Sequence, residues 1–145
     1  MEQTALSRLR RHIQQEPYAA SLGIKLRQLE QGRAVVEMTC TAAMENIFQM
    51  THGGAIFSLI DEAFQAACNS HGTVAVALNI NVTYHRAAVQ GCTLLAEARE
   101  VHRTRRTASY HITVLDHQQR LVASCQALAY RKAEPHPFID KDRHI

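Results

Sequence analysis

The chain has 145 residues, 46% of them apolar, which suits one domain with a buried core and excludes a disordered segment. Sixteen Lys and Arg against 13 Asp and Glu leave a net charge of +3 with histidines neutral. So mild and scattered an excess suits an anionic small molecule and gives no basis for a nucleic-acid partner.

No apolar run reaches membrane-spanning length, and no apolar core follows the first basic residues, so neither a membrane partner nor a signal peptide is expected. Cys40, Cys68, Cys92 and Cys125 lie far apart in apolar stretches without a C-x-x-C pair. They read as reduced packing residues of a cytoplasmic protein. The nine histidines form no H-E-x-x-H and no Cys/His group, so no metal is expected.

Residues 4–16 are predicted helical, because Leu6, Leu9 and Ile13 recur at helical spacing until Pro17. Leu22, Ile24 and Leu26 alternate with polar residues as a strand, and Gln31-Gly32 turns the chain into a second strand over 33–41. From Thr51 the period changes. A long helix is predicted over 52–69, ended by Gly72. Val74, Val76, Leu78, Ile80, Val82 and Tyr84 then alternate along one long strand. Further strands follow over 92–102, 107–115 and 121–131. Pro135 and Pro137 interrupt the pattern, so one domain over 1–134 with an N-terminal helix and a flexible tail over 135–145 is expected.

A single apolar helix with antiparallel strands before and after it in sequence implies an α+β fold, a curved sheet wrapped around that helix. The helix is apolar almost all round, which predicts that a partner subunit covers part of it.

The carboxylate of Asp61 stands inside this apolar helix, where a charge is costly unless something uses it. The helix opens on Gly53-Gly54. Glycines allow close approach to backbone N–H groups at a helix start, where developing negative charge is favoured. A base and an oxyanion-stabilising end suit acyl transfer. Gly54, Ser58, Asp61, Gln65 and Cys68 share one small and polar stripe, which fits either a narrow ligand channel or a polar edge at a subunit contact. Asn46 in the preceding loop reads by itself as a turn or cap, and His52 as a capping or packing histidine. Phe48, Phe57 and Phe64 serve either as core or as walls of an aromatic pocket. His85-Arg86 after the long strand, and Arg103, Arg105 and Arg106 in a later turn, can face water or meet phosphates.

Asn46, seven residues before Gly53, then His52-Gly53-Gly54, then Asp61 eight residues beyond Gly53, resembles the signature of hotdog-fold acyl-CoA thioesterases. Met50-Thr51-His52-Gly53-Gly54 and Ala67-Cys68-Asn69-Ser70 are similar to the phenylacetate-degradation branch, whose members act on phenylacetyl-CoA or hydroxyphenylacetyl-CoA. The likeness spans about residues 15–131.

The resemblance implies a hydrolase that releases free acid and coenzyme A. Asp61 would activate water as general base or attack as nucleophile. Asn46 would reach in from a neighbouring subunit, and the Gly53 N–H, with His52 beside it, would polarise the thioester carbonyl. Gly54, Ser58 and Gln65 would line the substrate channel. Ala77 or Asn79 would stand where relatives carry a water-placing hydroxyl, and Arg86, Arg103 and Arg106 would compete for the coenzyme A phosphates. The family further implies a homodimer, paired into a homotetramer, and no cofactor beyond the coenzyme A of the substrate. Two other classes remain open from the residues alone: a non-catalytic acyl-CoA-binding module of the same fold, and a hydratase or dehydratase.

Overall fold

The segment after Thr51 forms the central helix α3, Gly53–Cys68, in the computed structural model, which describes residues 2–138. Before it come α1 (Glu2–Gln14), α2 (Pro17–Ser21), β1 (Lys25–Glu30), β2 (Arg33–Thr39) and a single 3-10 turn (Ala42–Met44). After it come β3 (Thr73–Tyr84), β4 (Thr93–Arg103), β5 (Thr107–Leu115) and β6 (Leu121–Pro135). All strand pairs are antiparallel, in the order β1-β2-β4-β5-β6-β3. The predicted α+β architecture is the observed one.

The inner face of the sheet is built largely of small residues. Ala34, Ala96, Ala98, Ala123 and Ala129 are fully buried, as are Ala63, Ala66 and Ala67 on the facing helix. Small side chains on both surfaces let the helix lie close to the sheet at normal packing density. Leu59, Ile60, Val36, Met38, Leu94, Ile112 and Val114 fill the remaining space. Phe64 belongs to this core, edge-on to Tyr110 with ring centroids 5.4 Å apart, whereas Phe48 is exposed and Phe57 partly so. All four cysteines are buried in the packing. No helix among the described residues is long and apolar enough to cross a membrane.

Three local expectations are corrected. Pro17 does not simply end the first helix. It occupies the first position of α2, where its missing N–H costs nothing. In β3 the register shifts between Ala77 and Asn79, so a bulge at Leu78 breaks the predicted alternation. Ala75 and Ala77 pair opposite Arg131 and Ala129, while after the bulge Ile80 and Val82 pair opposite the inward-facing Ala127 and Cys125. Val76 and Leu78 are consequently exposed. Finally, β6 continues to Pro135, which pairs with Thr73. His136 is buried and Phe138 stacks on His12 at 3.9 Å, so the first part of the expected tail is packed. Residues 139–145 lie outside the described residues.

Candidate active site

The loop before α3 is held by its own hydrogen bonds. The Asn46 Oδ1 accepts from the backbone N–H of Phe48 (2.9 Å) and of Met50 (3.1 Å). Two backbone donors can only face the amide oxygen, so the amide orientation is settled and its NH2 end is left to donate elsewhere. The loop closes on His52, whose N–H donates to the Met44 carbonyl at 2.7 Å.

At the helix start the His52 Nδ1 accepts from the Gly54 N–H at 2.8 Å. An imidazole accepting through Nδ1 carries its proton on Nε2 when neutral. The Gly53 carbonyl accepts from the Tyr84 hydroxyl at 2.8 Å. The Gly54 carbonyl accepts from the Ser58 hydroxyl at 2.9 Å, and Ser58 in turn meets the Tyr18 hydroxyl of α2 at 2.7 Å. The Gly53 N–H has no acceptor among the described residues. A crevice of about 230 Å³ opens beside this point, with Tyr18, His52, Gly54 and Ser58 in its wall.

Gly54, Ser58, Asp61 and Gln65 do share the face of α3 turned away from the sheet, and Gly54 and Asp61 are exposed on it. Cys68 lies seven residues, about two turns, beyond Asp61 and is within reach of its charge, but at this end of the helix it is buried at 3% exposure. Asp61 itself is exposed on the single chain. Its carboxyl is nonetheless held above the ordinary carboxylate range, first by desolvation among the surrounding protein atoms and second by the Glu16 charge.

The buried acid is its neighbour Glu62, at 6% exposure. Burial pushes its carboxyl up, reinforced by a hydrogen bond to Glu16 and by the charges of Glu16 and Asp61. Two carboxyls can share a hydrogen bond only if one carries a proton, so Glu62 is the neutral donor. The other Glu62 oxygen, Oε1, has no partner. Glu16 also accepts from the Gln65 side-chain amide at 2.6 Å, which ties the α1–α2 junction to α3.

The remaining expected residues are dispersed. Ala77 lies on the inner face of β3 opposite Ala129, but Asn79 lies on the outer face opposite Leu128. There it joins Asn81, His111 and Gln126 along an outer groove of about 540 Å³, away from α3. Arg86 follows Tyr84 and therefore sits at the Gly53 end of the molecule. Arg103 and Arg106 flank the β4–β5 turn at the opposite end of the strands, about 25 Å away at the rise of an extended chain.

Gly53 and Asp61 are themselves separated by about 12 Å of helix rise. A carbonyl oxygen on the N–H and a carbon within reach of an attacking group need both within roughly 3–3.5 Å. Within one chain, therefore, the Gly53 N–H and the Asp61 carboxylate cannot act on the same bond.

The profile of the thioesterase superfamily matches residues 48–123, from the loop before α3 into β6. The chain belongs to the thioesterase superfamily. Over 113 residues it is 42% identical to the acyl-coenzyme A thioesterase PaaI of Escherichia coli, covering 78% of this chain and 81% of that one. The structure of the E. coli PaaI protein from the phenylacetic acid degradation operon matches with a TM-score of 0.88 at 36% identity, over 92% of this chain and 97% of the other. A Streptococcus mutans protein bound to acetyl CoA matches with a TM-score of 0.75 at 26% identity, over 78% and 91%.

The resemblance drawn from the Asn46–Asp61 segment thus holds for fold and family, and the chain is a thioester hydrolase. In this thioesterase, Tyr18, Tyr84, Glu16 and Glu62 surround the expected residues without having been singled out as candidates. Glu62 had a signal in the sequence, since the cost of a charge in an apolar helix applies to it as it does to Asp61. The two tyrosines and Glu16 had none, because their partners lie far along the chain.

Proposed function

We propose that this thioesterase hydrolyses an arylacetyl-CoA, phenylacetyl-CoA or a hydroxyphenylacetyl-CoA, to the free acid and coenzyme A, in a site shared between two copies of the chain. The observation that carries the reading is the pairing of an open Gly53 N–H with a carboxylate of raised pKa that it cannot serve within one chain. The N–H of one copy polarises the thioester carbonyl, and Asp61 of the second copy faces the carbonyl carbon. Asp61 takes the proton from an attacking water or attacks the carbonyl itself; transfer of solvent ¹⁸O to Asp61 in a single turnover separates the two. The tetrahedral oxyanion, held by the N–H donor, re-forms the carbonyl and expels the thiolate, which takes up a proton and leaves as the coenzyme A thiol; on the nucleophile route water then cleaves the acyl-Asp61 anhydride to the free acid and the carboxylate.

The free NH2 end of Asn46 donates towards this centre from the copy that holds Gly53, and the Nε2–H of His52 stands beside it. Gly54, Ser58, Gln65 and Ala77 border the acyl channel, and Arg86, at the Gly53 end, competes with Arg103 and Arg106 at the opposite end for the coenzyme A phosphates. The reaction so written uses no metal or cofactor. Support for the substrate class comes from PaaI, an acyl-coenzyme A thioesterase whose structure is attributed to a phenylacetic acid degradation operon.

Release of free thiol from phenylacetyl-CoA, hydroxyphenylacetyl-CoA and straight-chain acyl-CoAs tests the reading. Asp61→Ala is expected to lower kcat by roughly 100- to 10,000-fold, the range for a positioned base. Equal rates in the variant would remove Asp61 from the chemistry. Tight binding of acyl-CoA without turnover by the wild type would instead assign a binding module.

A further inference from the structure

The Gly53-Gly54 peptide is clamped at both ends. Its N–H, from Gly54, is held by the His52 Nδ1 at 2.8 Å, and its C=O, from Gly53, by the Tyr84 hydroxyl at 2.8 Å. The preceding peptide is held as well, because the His52 carbonyl accepts from the N–H of Ala55 at 2.9 Å and of Ile56 at 3.3 Å. Every polar group around Gly53 except its own N–H is thereby committed. Glycine has the freest backbone of any residue, and an uncommitted helix end frays. A useful donor must instead be held within about 10–20° of its working direction. Tyr84 is the one member of this clamp that comes from the sheet. It reaches the helix start from the last position of β3, far along the chain.

From this geometry we propose that Tyr84 is a positioning residue, its hydroxyl locking the Gly53 backbone so that the Gly53 N–H points at the substrate carbonyl. The contact also explains the glycine, in a direction opposite to conformational freedom. A Cβ at position 53 would stand 3.3 Å from the Tyr84 ring, so the ring that carries the hydroxyl would have to give by a few tenths of an ångström. Desolvation raises the Tyr84 phenol further above neutrality, which keeps it a donor at working pH. The inference rests on the proposed role of the Gly53 N–H, and the experiment separates the two.

The test is Tyr84→Phe, which keeps the ring and removes only the hydroxyl; the side chain is half exposed, so the core is untouched. Loss of one positioning hydrogen bond is expected to lower kcat about tenfold. The KM should stay within about twofold, since ground-state binding is not what the donor serves. The direct readout is the infrared carbonyl band of phenylacetyl-CoA, ¹³C-labelled at the thioester carbonyl and bound in an Asp61→Asn background. With Tyr84 present the band should lie below its free position, and in the double variant it should return part of the way. A band that stays shifted when the hydroxyl is gone overturns the role of Tyr84, even if kcat falls. A band unshifted with Tyr84 present overturns the Gly53 donor itself, and this inference with it.

Discussion

Asp61 and Glu62 are adjacent in sequence and opposite in environment. The first lies on the open face of α3 and the second is sealed beneath it, yet desolvation raises the carboxyl of both. Glu16 connects them: it shares a hydrogen bond with Glu62, accepts from Gln65 at 2.6 Å, and lifts the Asp61 carboxyl by its charge. In the proposed reaction Asp61 works as a carboxylate, so kcat/KM should rise with pH as Asp61 loses its proton. Because that ionisation is displaced upward, the acid limb should lie above the usual carboxylate range. The other ionisable groups facing Asp61 are Glu62 and the thiols of Cys68 and Cys125. Glu16→Gln removes a like charge, and the limb of the pH–kcat/KM profile should move to lower pH. A limb that stays put or rises would show that Glu16 does not reach Asp61.

The two edge strands of the sheet differ in a way that bears on assembly. β1 is short, kinked by a register shift between Leu26 and Gln28, and carries Lys25, Arg27 and Glu30. Such features discourage pairing with another strand. β3 is twelve residues long, contains no charged residue, and exposes Val76 and Leu78. It is therefore the edge on which a second copy would pair, and it ends at the half-exposed Tyr84. Leu78→Lys puts a charge on that edge without touching the core. The expected outcome is a fall in mass by light scattering together with loss of thioesterase activity. Full activity in a monomeric variant would refute the shared site.

At the scale of the whole molecule, the separation of Gly53 from Asp61 makes a directional claim about which copy provides what. In mixed dimers of Asn46→Ala and Asp61→Ala chains, one of the two composite sites has every wild-type group and the other has none of the pair. Random exchange of two subunit types about a two-fold axis then restores about a quarter of wild-type activity. Neither variant alone should show it. If all groups came from one chain, mixing would restore nothing.

Sequence alone determined the order of the strands, the central helix and the segment from Asn46 to Asp61, because these depend on local periodicity and on spacing along one helix. The open stripe through Gly54, Ser58, Asp61 and Gln65 was legible for the same reason, whereas the burial of Cys68 at its far end was not. The bulge at Leu78, the helix that starts at Pro17, the burial of Glu62 and the packing of His136 and Phe138 were decided by tertiary structure. Each depends on a partner distant along the chain: β6 opposite β3, Gln65 against Glu16, His12 beneath Phe138. The clamp of Tyr84 on Gly53 belongs to that second group, since a hydroxyl and a carbonyl separated by a helix and a strand meet only once the sheet has closed around the helix.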